Sequence, residues 1–189
     1  GDGSRKTAEV YPENGLPKNE KVTLKVGFFL AGMGQEWFDY AMETFKKKFP
    51  NVSFDVTASP KITDILGTKI SAQNDDDMFD IYNGNVPGGN TGVTNLVLAG
   101  KLEPMDDLWD KKVYDANGQT ERDMLMPDVF ETAARVLGKT YTLPLYGNGG
   151  GLFFNKALFE QNGWNQNPKT WEEFLKLCEE IKAKGITPL

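Results

Sequence analysis

The fold is decided by the stretch Val22-Thr23-Leu24-Lys25-Val26-Gly27-Phe28, in which apolar residues occupy every second position before the chain reaches Phe29 and Leu30. This period of two predicts a β-strand whose carboxyl end is buried. Apolar residues at helical spacing follow from Trp37 to Phe49, and they predict a helix. Pro50-Asn51 predicts the end of that helix, because proline cannot continue one.

The same pattern repeats further along the chain. Residues 52–57 alternate as a second strand, residues 62–73 carry apolar residues on one helical face, and residues 78–82 predict a short third strand. Strand, helix, strand, helix, strand is typical of a parallel α/β sheet with right-handed crossovers. Residues 1–20 are rich in Gly, Pro, Asn and charge, and they predict a flexible leader or tether, with order beginning at Lys21.

The composition argues against several classes of protein. Of the 189 residues, 39% are hydrophobic and 25% are charged, which is typical of a folded globular chain. The net charge is −6 and the longest basic run is Lys46-Lys47-Lys48, so we expect no nucleic-acid partner.

The residue types also argue against common catalytic and metal chemistry. Histidine is absent and Cys178 is the single cysteine, which removes the commonest general base and the commonest transition-metal ligands. Asp75-Asp76-Asp77 lacks the spacing of a calcium-binding loop, so it predicts a solvated turn. We therefore expect no cofactor and no metal site. The 27 acidic residues could supply a catalytic pair, but none of them stands in a recognisable catalytic setting, so we expect no enzymatic activity.

Four stretches of the chain match the order and spacing of motifs in a known family. They are residues 45–52 (FKKKFPNV), Phe79-Asp80-Ile81, residues 100–108 (GKLEPMDDL), and a set formed by residues 138–144, 151–156 and 168–174. Together they resemble the family-1 extracellular solute-binding proteins, the maltose-binding-protein-like group. Each motif alone is weak, and their combination carries the resemblance.

The resemblance implies a periplasmic-binding-protein-like fold of type II, with two α/β lobes joined by a hinge that closes around a ligand. By position, residues 21–144 then form one near-complete lobe, residues 145–151 a hinge crossing, and residues 152–189 the beginning of a second, truncated lobe. The hinge residues implied in this way are Pro144, Gly147, Gly149 and Gly150.

The resemblance also implies a function. The protein is expected to be the substrate-binding component of an ABC importer that binds a sugar or oligosaccharide between its lobes and delivers it to the permease subunits. We expect it to act as a monomer, in the periplasm or as a lipoprotein on the outer face of the bacterial membrane, with its signal segment absent from this sequence. Two alternatives stay open: a carbohydrate-active enzyme that uses two carboxylates, and a surface binding domain with no role in transport.

Ligands of open α/β sheets bind beyond the carboxyl ends of the strands, which selects the loops at residues 31–37, 82–91 and 146–151. Sugar sites need planar polar groups and flat aromatic faces. The candidate ligand-binding residues in these loops are Gln35, Glu36, Trp37, Asn83, Asn85, Tyr146 and Asn148. Trp37 suits core packing equally well, Glu36 suits the first turn of a helix, and the asparagines are also common turn residues.

Overall fold

The structure is a computed structural model that describes residues 8–84, 92–133, 135–145 and 149–189. The candidate residues Asn85, Tyr146, Gly147 and Asn148 lie outside these described residues. The chain divides into two compact units, Gly1–Leu143 and Pro144–Leu189. The lobe and hinge boundaries implied by the resemblance stay a prediction.

A parallel sheet of three strands forms the centre of the first unit. Its strands are β1 (Val22–Phe29), β2 (Val52–Ser59) and β3 (Ile81–Asn83), in the order β2-β1-β3. Helix α1 (Glu36–Lys48) connects β1 to β2, and helix α2 (Ile62–Ala72) connects β2 to β3. The predicted α/β fold with parallel strands is therefore confirmed.

Strand β1 is covered on both faces. On one face Phe28, which is 1% exposed, stacks on Phe38 of α1 with ring centroids 4.9 Å apart. On the other face Gly27 lies against the rings of Phe79 and Tyr82. A strand buried on both faces, with α1 on one side of the sheet and α2 on the other, is the arrangement expected of a doubly wound α/β sheet.

The other described elements of the first unit are short and joined by turns. They are α3 (Val93–Leu98), α4 (Glu121–Met124), α5 (Val129–Thr132) and single turns of 3-10 helix at Asp75–Asp77 and Asp106–Leu108. Gly100 has φ of +69° after α3, as the sequence predicts for a residue that ends a helix. The sequence predicts a helix over residues 129–136, whereas α5 ends at Thr132.

A buried polar contact holds this part of the unit together. The indole Nε1 of Trp109, a fully buried residue, donates a hydrogen bond of 2.9 Å to Oγ1 of Thr140. The carbonyl of Thr140 in turn accepts a hydrogen bond of 2.7 Å from the backbone N–H of Met105. These two hydrogen bonds connect segments of the chain that are 31 or more residues apart.

The segment before β1 differs from the flexible leader that the sequence predicts. Tyr11 is only 8% exposed, and its ring packs against Phe49 at 4.8 Å. Its hydroxyl donates a hydrogen bond of 2.8 Å to Oδ1 of Asn51, and Lys18 forms an ion pair of 2.7 Å with Glu9. Ordered structure therefore starts before Lys21, because one aromatic residue anchors the segment.

The second unit contains α6 (Lys156–Asn162) and α7 (Trp171–Ala183). Its core is formed by Phe159, Trp164, Leu177 and Ile181. Thr170 and Glu173, three residues apart, predict a capping box at the start of a helix. The Thr170 side chain does cap α7, by accepting a hydrogen bond from the N–H of Glu173. The helical spacing also predicts Trp171 on the apolar face, but Trp171 is 66% exposed and Leu177 is buried instead.

We predict that Gly27→Ala destabilises the protein by about 1–3 kcal/mol, the usual cost of overpacking. A Cβ at this position would lie 2.7 Å from the Phe79 ring and 3.0 Å from the Tyr82 ring. Without that clash alanine would stabilise the strand, since glycine costs more conformational entropy. The free energy of unfolding in urea measures the effect.

Gly32→Ala is the matched control, because a Cβ at Gly32 would meet nothing within 4 Å. The control should leave the free energy of unfolding within about 0.5 kcal/mol of the parent. Equal stabilities for the two variants would show that Gly27 is not sterically required.

Candidate functional site

The strand order places a crevice between the ends of β1 and β3. The chain leaves β1 in one direction to form β2, then crosses back through α2 to form β3 on the other side of β1. At such a reversal, the loops that follow the two neighbouring strands diverge and leave a crevice at their carboxyl ends. The loop at residues 30–35 follows β1, and Gly84 follows β3.

Gln35 and Glu36 lie where α1 begins. The Gln35 side chain is half-buried, and its Nε2 donates a hydrogen bond of 3.1 Å to Oδ1 of Asp39 one turn later. Glu36 is exposed in the first turn, where the helix dipole favours a negative charge. Both candidates therefore lie at the start of α1, in the connection that follows the carboxyl end of β1, and the Gln35 side chain is held along the helix.

Trp37 packs against the core and is also accessible to a ligand, which are the two roles that its position in the sequence leaves open. Its ring lies 5.7 Å from the ring of Phe28 and 5.5 Å from that of Phe38, so part of the indole belongs to the packed layer. The residue is nevertheless 37% exposed. A packed but accessible aromatic ring is suited to contact the C–H face of a sugar.

Asn83 lies on the same side of the sheet as Trp37. It pairs in register with Phe28, and residues paired across parallel strands point to the same face. That face carries α1, because Phe28 contacts Phe38 there. The half-buried Asn83 and the exposed part of Trp37 therefore approach the carboxyl end of β1 from two neighbouring elements.

Tyr82 is a residue of this region that the sequence analysis did not select. It pairs with Gly27, on the opposite face from Asn83, and its hydroxyl shares a hydrogen bond of 3.2 Å with that of Thr63 in the first turn of α2. Burial raises the pKa of Tyr82, and the Thr63 hydroxyl opposes this by lowering it to a smaller extent. The alternation of β3 and the adjacent glycines are the only sequence signals for this contact.

The remaining candidates lie either outside the described residues or in the second unit. Asn85, Tyr146 and Asn148 lie outside the described residues, as does Gly147. Pro144, Gly149 and Gly150 belong to the second unit. A Cβ at Gly149 or Gly150 would meet nothing within 4 Å, so no close contact among the described residues explains glycine at these positions. Their role as hinge residues stays a prediction.

The acidic run at Asp75–Asp77 forms a single turn of 3-10 helix that lies beside two lysines. Lys101 forms an ion pair with Asp75, and Lys69 forms one of 3.2 Å with Asp77. Within the described ranges, no group of three His, Cys, Asp or Glu side chains is placed to hold a metal ion. The charge of the run is thus partly compensated by lysines.

A groove of about 360 Å³ in the second unit is a less suitable sugar site. Apolar side chains such as Phe154 and Ile181 dominate its lining. Asn155 and Asn165 also line it, but each accepts a hydrogen bond from a backbone N–H two or three residues further along. The crevice of the first unit therefore carries the better set of groups.

The fold and crevice are those of an α/β binding protein of the periplasmic type, and the sequence comparison identifies the family. The profile of the bacterial extracellular solute-binding proteins matches residues 31–188. The chain belongs to this family.

Two relatives illustrate the similarity in sequence. The chain is 28% identical over 166 residues to the diacetylchitobiose binding protein NgcE of Streptomyces coelicolor, covering 86% of this chain and 33% of that protein. It is 29% identical over 150 residues to the multiple sugar-binding protein of Streptococcus mutans, covering 78% of this chain and 31% of that protein. The chain thus spans about a third of the length of these relatives.

Solved structures agree on the fold. The solute-binding protein RafE in complex with raffinose superposes with a TM-score of 0.58 at 27% identity, covering 87% of this chain and 38% of that one. RafE comes from Streptococcus pneumoniae. The bacterial solute receptor AcbH superposes with a TM-score of 0.59 at 19% identity, covering 89% of this chain and 39% of that one.

None of the helices in the described part of the chain is both long and apolar enough to span a membrane.

We predict that Tyr82 ionises above the ordinary tyrosine pKa of about 10, because burial disfavours the phenolate. The neutral phenol is favoured in the folded state, so its stabilising effect is complete below about pH 10 and is lost as the pH rises through the higher folded pKa. The difference between the ultraviolet titration curves of the parent and Tyr82→Phe isolates this group. A midpoint at or below that of free tyrosine would contradict the prediction.

Proposed function

We propose that this chain is part of the substrate-binding component of an ABC importer, which binds a sugar or oligosaccharide and delivers it to the permease subunits. The observation that carries the proposal is the strand order β2-β1-β3, which puts Asn83 at the carboxyl end of β3 beside the end of β1, and the chain continues from that end of β1 to Gln35 and Trp37 at the start of α1. Membership of the solute-binding family supports a binding role. Relatives named for diacetylchitobiose, multiple sugars and raffinose support a carbohydrate.

In this proposal the first lobe comprises residues 21–144 and the second begins at residue 152. Residues 145–151 act as one hinge crossing, with Pro144, Gly147, Gly149 and Gly150 absorbing the change in backbone angles. The remaining ligand contacts come from the loops at residues 82–91 and 146–151, through Asn85, Tyr146 and Asn148, and from Glu36. The larger part of the protein, judged by the length of its relatives, supplies the rest of the cleft.

The proposed protein works outside the cytoplasm, as expected for an extracellular solute-binding family. It is either periplasmic or held at the outer face of the membrane by a lipid anchor. It acts as a monomer that releases its sugar unchanged, without catalysis.

Thermal unfolding in the presence of sugars tests the proposal. The panel contains raffinose, diacetylchitobiose, galactose and common monosaccharides, applied to this chain and to a version extended to the length of its relatives. One sugar class should raise the Tm of the extended protein, with a stabilisation of about 2.7 kcal/mol at a hundredfold excess over Kd. A flat response to every sugar would contradict carbohydrate binding.

The same samples separate the proposal from its alternatives. A carbohydrate-active enzyme would release new reducing ends from an oligosaccharide during incubation, whereas a binding protein returns it intact. A surface domain without a transport role would bind no small sugar with saturation. Continuous release of reducing ends by the pure protein would therefore replace the proposed binding role with catalysis.

We predict that Asn83→Ala weakens sugar binding by the extended protein about five- to hundredfold, since a sugar hydroxyl loses its buried partner. Trp37→Ala should weaken binding about two- to tenfold through loss of aromatic contact. Isothermal titration with the most stabilising sugar of the panel measures both values. Tyr40→Ala on the same helix is the control, because Tyr40 is an aromatic residue of α1 that is 75% exposed.

Unchanged affinity in both Asn83→Ala and Trp37→Ala would place the sugar elsewhere than at the β1–β3 crevice. A loss as large in Tyr40→Ala would mean that substitutions in α1 act through folding. The free energy of unfolding of each variant, measured alongside, separates these two outcomes.

A further inference from the structure

The position of Asn83 depends on a very short strand. Strand β3 has three residues, and within the described residues it pairs with β1 alone. Three residues of pairing on one side constrain a strand weakly, because each backbone hydrogen bond contributes little net stability. Some further contact must therefore hold the end of β3 in place.

Tyr82 provides that contact. Of the three residues in β3, Ile81 and Asn83 lie on one face and Tyr82 lies on the other, toward α2. Ile81 is 42% exposed, whereas Tyr82 is half-buried. Tyr82 is thus the residue of β3 that reaches a neighbouring helix, and Asn83 follows it directly in the chain.

Two glycines accommodate the Tyr82 ring at close range. A Cβ on Gly27 would lie 3.0 Å from the ring, and a Cβ on Gly84 would lie 2.7 Å from both Cζ and Oη of Tyr82. The backbone of β1 and the backbone just after β3 therefore approach the ring without side chains between them. Gly84, the residue that follows β3, therefore lies directly against the Tyr82 ring.

The Tyr82 hydroxyl is held by a fixed partner. It shares its 3.2 Å hydrogen bond with Oγ1 of Thr63, whose neighbour Ile62 is fully buried. Leu66, one turn later in α2, is only 4% exposed. Thr63 is therefore attached to a well-packed part of α2, at the same edge of the sheet as the crevice.

We propose that Tyr82 and Thr63 are positioning residues that lock the carboxyl end of β3 to the first turn of α2, and thereby set where Asn83 presents its amide. This inference rests on the proposed binding function for its effect on affinity. Its effect on the backbone of β3 is independent of that function. The pair touches the opposite face of the sheet from Asn83, so it acts through the strand.

Thr63→Val tests the lock, because valine keeps the shape of threonine and removes the hydroxyl. We expect backbone amides of Asn83 and Gly84 to exchange with deuterium about two- to tenfold faster, in line with loss of one hydrogen bond. Affinity for raffinose, or for whichever sugar of the panel raises the Tm most, should fall by a similar factor. Thr63→Ser restores the hydroxyl and should restore both values.

Thr140→Val is the matched control, since it also removes a hydroxyl that is hydrogen-bonded to an aromatic side chain. This substitution should lower the unfolding temperature yet leave the exchange at Asn83 and the sugar affinity unchanged. If Thr63→Val behaves as Thr140→Val does, the Tyr82–Thr63 pair is merely structural and the proposal is overturned.

The two readouts also separate this inference from the proposed function. If no sugar binds the parent protein, the exchange rates alone decide whether the lock exists. If sugar binds the parent and Thr63→Val changes neither exchange nor affinity, the binding function stands and the positioning role is wrong.

Discussion

The first unit depends on the burial of β1 from both sides. Phe28 meets Phe38 on one face, and Gly27 leaves space for the rings of Phe79 and Tyr82 on the other. A side chain at Gly27 would occupy that space. One face of β1 therefore needs a residue without a side chain, and the other face needs a large aromatic ring at the next position. The packing on both faces of the sheet depends on this succession of glycine and phenylalanine in the central strand.

The same arrangement creates the candidate site. Because β1 lies between β2 and β3, the connection from β1 to β2 and the connection from β2 to β3 run in opposite directions, which leaves an opening at the carboxyl ends of β1 and β3. Phe28 links the two sides of that opening, through ring contact with Trp37 and strand pairing with Asn83. The core of the unit and the proposed sugar crevice therefore share one residue, so packing and binding are not independent there.

Local patterns predicted some features well and others poorly. The period of the apolar residues predicted β1, α1 and α2 close to their observed bounds, and Thr170 was correctly predicted as a helix cap. The leader was predicted as flexible because its composition is polar, yet Tyr11 anchors it through a partner 40 residues away. Composition averages over a segment, whereas one buried aromatic residue is enough to order it.

The sequence alone determined the succession of strands and helices, the family resemblance and the candidates at the strand ends, because periodicity and turn chemistry act over a few neighbouring residues. Tertiary structure decided which strand is central, which side of Trp37 is packed, and that Tyr82 reaches Thr63. It also decided that Trp109 is buried against Thr140, 31 residues away. These contacts join residues far apart in the chain, and they form only when the packing of several elements brings the side chains together.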